Sequence, residues 1–119
     1  MSELHTLIES EISKLRTLHA LTMHRGPTDT EAKQKKAIKE MAYISALGTL
    51  NDRLKMTSQV FKGDKYLKEI DEFASELFLE GRNKSGSTDG VATTGIGQAY
   101  LDVSEILRAT VQHVWLNQL

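Results

Sequence analysis

Four histidines, His5, His19, His24 and His113, are the side chains in this 119-residue chain best suited to move a proton near neutral pH or to ligate a metal through nitrogen. There is no cysteine, so neither a thiolate metal site nor a disulfide framework exists. His19 and His24 stand five residues apart, which on a helix separates them by about 140° rather than placing them on one face. None of the four has a carboxylate three residues away, the spacing that helical di-metal sites use. They read as surface or boundary histidines, and no metal or other cofactor is expected. The carboxylates Glu69, Asp71, Glu72 and Glu76 have the oxygen chemistry for magnesium. They are interspersed with Lys65 and Lys68 and oppose an apolar stripe, however, which is the pattern of a solvated helix face.

The strongest local charge feature is the run Lys33-Gln34-Lys35-Lys36-Ala37-Ile38-Lys39. It sets four lysines near the start of a helix, where the dipole does not favour cations, and so suggests an acidic protein or nucleic-acid partner held by Lys35, Lys36 and Lys39. The simpler reading is the polar side of an amphipathic helix, since no arginine or aromatic residue is interleaved for reading bases. Gly95-Ile96-Gly97 precedes a helical pattern but lacks the order and context of a phosphate-binding loop. An anion at that helix N-terminus is the one chemical use it suggests.

A late segment, Arg108-Ala109-Thr110-Val111-Gln112-His113, places an arginine, four residues and a histidine on one helix. It resembles the motif of the HEPN-type ribonucleases, small helical bundles whose arginine and histidine line a cleft shared by two protomers and cleave RNA without metal. The resemblance implies that His113 would move the proton and Arg108 would stabilise the charged phosphorane. It covers six residues, and Ala109 stands where that family usually has a polar residue.

The elements that must position these groups are helices. Leu4, Ile8, Ile12, Leu15, Leu18 and Leu21, widened by Leu7, recur at helical spacing and predict a first helix over about 2–24, capped by Ser2 and ended by Arg25-Gly26-Pro27. Thr28-Asp29-Thr30-Glu31 is a capping box that opens a long second helix over 29–61. In it, Ala37, Met41 and Ile44 point about a quarter-turn away from Leu47, Leu50 and Leu54. Gly48 lies at the change, so the helix either kinks or breaks there, or is buried on several sides, with close packing at the glycine. Lys62-Gly63-Asp64 is a stop and restart with Asp64 as the next cap. Leu67, Ile70, Phe73, Ala74, Leu77 and Phe78 then give a third helix over 65–80. Residues 81–95, glycine- and serine-rich, read as a flexible loop. Ile96, Tyr100, Val103, Leu107, Val111 and Val114 define a last helix over 96–118. The expected fold is an all-α, single-domain bundle of four helices over 1–119, or five if the second breaks at Gly48.

Apolar residues at 39%, charged residues at 26% and one proline are ordinary for a globular helical protein, and a net charge of −1 exerts no general pull toward nucleic acid or an anionic membrane. An acidic N-terminus and the lack of a ~20-residue apolar run point to a soluble cytoplasmic protein with no membrane association. Leu101, Trp115 and Leu119 form a second apolar group on the last helix, a contact surface for a homodimer. The function these features favour is a non-enzymatic, adaptor-like or regulatory protein, of prokaryotic or phage character, that self-associates and binds a protein partner. The alternatives are the HEPN-like ribonuclease and a nucleic-acid-binding module using Lys33–Lys39.

Overall fold

The computed structural model of the chain describes residues 3–22, 30–86 and 90–118. Among them are four helices and no strand: α1 (Glu3–Thr22), α2 (Thr30–Val60), α3 (Asp64–Ser85) and α4 (Val91–Gln118). Ser2, His24, the Arg25-Gly26-Pro27 stop, Thr28, Asp29 and Leu119 lie outside the described residues, as do the side chains of Leu4, Leu21, Glu31, Lys33 and Trp115. None of the helices is long and apolar enough, over the described residues, to cross a membrane.

The contacts set the helices up and down in turn. The start of α1 meets the start of α3 through His5 and Tyr66, and His19 near the end of α1 meets Glu40 in the first half of α2. Ser104 of α4 bonds back to Ala74 of α3, while Gly97 lies against Lys84 and Ser85, so α3 and α4 are antiparallel. Much of the core comes from the stripes: Ile8, Ile12, Leu47, Leu50, Leu54, Ile70, Phe73, Leu77, Val103, Leu107 and Val111 are buried, joined by Tyr43, Tyr66 and Ala99, while Leu7, Leu18 and Met41 of the same stripes stay exposed. Apolar area removed from water, at about 25 cal/mol per Å², is the force that holds these helices side by side.

α2 runs as one α-helix from Thr30 to Val60, through Gly48, and no fifth helix arises there. A Cβ on Gly48 would lie 4.0 Å from the Arg16 guanidinium, an ordinary contact, so close packing is not what that glycine supplies. It is Gly81, Gly95 and Gly97 that close approach requires. A Cβ on Gly95 would stand 2.4 Å from the Lys39 carbonyl oxygen, and one on Gly97 would stand 2.4 Å from the Ser85 amide nitrogen. These glycines let α4 press backbone to backbone on α2 with one side and on α3 with the other. The loop expected over 81–95 is accordingly short. α3 continues to Ser85, α4 begins at Val91, and Gly81, beneath Leu101, lies inside a helix. The anion site suggested for Gly95-Ile96-Gly97 is also corrected, because both glycines are buried one turn and more inside α4 against neighbouring backbone.

Between α2 and α3 the chain turns at Gly63, whose φ of 64° falls in the left-handed region that glycine enters without strain. Gly63, not Asp64, is the cap residue; Asp64 sits in the first turn, where its charge suits the helix dipole.

Candidate functional site

Where α1 and α4 run side by side, they leave an open groove of about 640 Å³. Leu7, Leu15 and Leu18 line it from α1, and Ile106 and Ala109 line it from α4. Leu7 and Leu18 belong to the apolar surface expected to be core, yet they are 53% and 56% exposed. α1 leans its Ile8–Ile12 edge into the bundle and leaves its flank uncovered. The rim is charged: Glu11, Asp102 and Glu105 stand against Lys14, with His113 at the far end. Lys14 is itself 3.0 Å from Glu11, which makes the uncompensated character of the rim acidic.

Beneath one edge of the groove lies a polar cluster drawn from three helices. His19 of α1 pairs through Nδ1 with the Glu40 carboxylate of α2 and stacks its ring on Tyr43, centroids 4.0 Å apart. The Tyr43 hydroxyl donates to Asp102 Oδ2, and Gln98 Nε2 donates to Asp102 Oδ1 at 2.9 Å. Burial, above all, and then the hydrogen bond to Asp102 and the charges of Asp102 and Glu40 push the Tyr43 hydroxyl far above its usual pKa. Tyr43 therefore stays a donor, and it holds Asp102 in place at the groove's edge. No sequence motif announces this cluster, because its members are distant in the chain and meet only through packing.

His5 was read as a surface or boundary residue, but it is buried at 1% exposure. Its Nδ1 is 3.2 Å from the Tyr66 hydroxyl and its Nε2 is 3.4 Å from Glu9, one turn along α1. Burial alone pushes Tyr66 up to about 12. His5 can be placed so deep because both ring nitrogens have polar neighbours. Among the described residues no three His, Asp or Glu side chains are grouped to hold a metal ion. On α3, Asp71, Glu72 and Glu76 are exposed, and Glu76 lies 3.7 Å from Arg53.

The remaining sequence candidates are dispersed. Arg108 packs its guanidinium over the Phe78 ring, 4.7 Å from the centroid, and lines a second groove of about 460 Å³ between α3 and α4. His113 lines the α1–α4 groove instead, so within one chain the two residues do not share a cleft. Leu101 is half-buried over Gly81, part of the α3–α4 contact rather than a bare surface. Its expected companions cannot be placed beside it: the Trp115 side chain and Leu119 are outside the described residues. Lys35 and Lys39 are exposed and Lys36 is half-buried on α2. Between the two exposed lysines, Ile38 is 50% exposed, and Met41 one turn on is 61% exposed. Met41 thus points outward, although its spacing with Ala37 and Ile44 set it on an apolar face of α2. Comparison with known protein families, with curated proteins and with solved structures finds no match to this chain.

Proposed function

We propose that this chain is a non-enzymatic interaction module that receives a basic amphipathic helix of a protein partner in the groove between α1 and α4. The observation that carries the reading is the groove itself. It has an apolar floor, exposed leucines at both ends and a rim richer in carboxylates than in lysines. A helix laid in such a groove buries residues at i, i+3, i+4 and i+7, and lysines on its flanks meet Glu11, Asp102 and Glu105. Leu7 and Leu18 are eleven residues apart, about 16 Å along α1, room for three turns of a bound helix.

The other readings have less behind them. The ribonuclease reading needs a cleft shared by two protomers that brings Arg108 and His113 together; it rests on six residues, with Ala109 departing from the pattern, while in one chain the pair line different grooves. Nucleic-acid binding through the lysine run has an exposed apolar residue, Ile38, in its midst and another, Met41, one turn on, which suits a protein contact better.

The test uses two synthetic helices of the same leucine pattern, one with lysine and one with glutamate at every polar position, in a fluorescence-anisotropy titration. The lysine helix binds, binding weakens as salt rises, and Leu18→Glu weakens it by about tenfold or more. The glutamate helix does not bind. Equal binding of both helices, or binding of neither, overturns the reading.

A further inference from the structure

The groove has a chemical complement on the chain's own surface. On α2, Ile38 is 50% and Met41 61% exposed, and Lys35 and Lys39, both exposed, lie together along one edge of them. At about 100° per residue, Ile38 and Met41 stand opposite Tyr43, Leu47, Leu50 and Leu54, the side by which α2 enters the core. The ridge is therefore a short apolar strip with one basic edge, and the groove is an apolar trough with an acidic rim. They lie on different faces of the bundle: α1 and α4 pack on the Tyr43 side of α2, as the His19–Glu40 and Tyr43–Asp102 contacts show, and the ridge looks away from it.

We infer that the partner helix is supplied by a second copy of this chain: the Lys35–Met41 ridge of α2 in one copy seats in the α1–α4 groove of the next. This rests on the groove reading proposed above and adds the identity of the occupant. Charge complementarity selects it. Lys35 and Lys39, four residues apart on one edge of the strip, meet the carboxylates along one wall of the groove, while two grooves or two ridges brought face to face would repel. Because ridge and groove are different surfaces, the contact is heterologous. One copy's groove is filled while its own ridge stays available, so assembly continues head to tail instead of stopping at a two-fold dimer.

The experiment is sedimentation across a wide concentration range with wild type and two surface variants, Ile38→Glu in the ridge and Leu18→Glu in the groove. Both positions are at least half-exposed, and a helical dichroism spectrum checks that each variant folds; Met41→Glu and Leu7→Glu serve as second choices. Wild type grows beyond dimer as concentration rises, and high salt reverses the growth. Each variant alone stays monomeric. An equal mixture of the two forms a one-to-one dimer and nothing larger, since only the groove of Ile38→Glu and the ridge of Leu18→Glu remain intact. A wild type that stays monomeric, a wild type that stops at a dimer, or a mixture that does not pair overturns the inference. The lysine-helix titration separates the two failures. If wild type is monomeric yet binds that helix, the groove reading stands and the self-docking falls; if it does neither, both fall.

Discussion

Adding one methyl group at Gly95 and one at Gly48 should move stability in opposite directions. Alanine is favoured over glycine inside a helix by about 1 kcal/mol, and both positions are helical. At Gly48 the new Cβ would meet only the Arg16 guanidinium at 4.0 Å, the mobile end of a long side chain. The propensity gain is therefore kept, and Gly48→Ala stabilises by about 0.5–1 kcal/mol. At Gly95 the new Cβ would lie 2.4 Å from the Lys39 carbonyl oxygen, 3.2 Å from its carbonyl carbon and 3.3 Å from its Cα, all backbone. Relief requires α4 to move off α2 by most of an ångström, which loosens the packing of Ala99 and Val103 as well. Overpacking of this kind costs about 1–3 kcal/mol, and α2 backbone cannot rotate aside as a side chain can, so the upper end applies. After the propensity gain, Gly95→Ala is destabilising by about 2 kcal/mol. In a domain of this size, 1 kcal/mol corresponds to roughly 3–6 °C of melting temperature. Thermal unfolding followed by dichroism at 222 nm should thus show Gly48→Ala melting a few degrees above wild type and Gly95→Ala about 10 °C below it. Gly95→Ala melting at or above wild type would refute the close α2–α4 crossing.

Ser104→Ala removes the buried 2.7 Å hydrogen bond from Ser104 Oγ to the Ala74 carbonyl and costs about 1 kcal/mol, measurable by urea denaturation. Tyr43 and Tyr66 are held protonated in the fold, so a spectrophotometric titration at 295 nm should show two tyrosines that ionise only above the usual tyrosine range, Tyr66 near 12 and Tyr43 beyond it, until the protein unfolds. The sign for stability follows: the unfolded chain releases those protons near 10, so the contribution is whole below that pH. It is lost as pH rises from 10, through about 12 for Tyr66 and beyond that for Tyr43. Tyrosine absorbance that rose fully near pH 10 with the fold intact would contradict both. Incubated with structured RNA, wild type and His113→Ala should leave it equally intact, and cleavage by wild type alone would replace the interaction reading with a nuclease.

Periodicity made the buried side of each helix legible, because the residues that face a neighbour recur every turn whatever that neighbour is. It did not reveal how widely each stripe is covered. Leu18 and Met41 have the spacing of core residues, yet no neighbouring helix covers them: α1 leans on the bundle by its Ile8–Ile12 edge, and α2 by its Tyr43–Leu47 side. Glycines misled the reading of 81–95 as a loop. Glycine is the poorest ordinary helix former, and only a crossing too tight for a Cβ makes it the best choice inside one. Gly81, Gly95 and Gly97 are such cases, and neither the crossing nor its partners, Lys39 and Lys84, can be seen from local composition. The His19–Glu40–Tyr43–Asp102 cluster was invisible for a related reason. Polar residues distant in sequence carry no spacing rule, and each of these four alone resembles a boundary residue. His5, by contrast, had a usable sign in Glu9 at i+4, together with its place in register with Ile8 and Ile12.

The groove between α1 and α4 is tested most directly by methyl NMR with the lysine helix added stepwise to the full chain. Shifts confined to Leu7, Leu15, Leu18, Ile106 and Ala109, with the exposed methyls of Met56 and Leu79 unmoved, are what a helix seated in that groove produces. Shifts centred on Met56 or Leu79 instead, or no shifts at all, would contradict it.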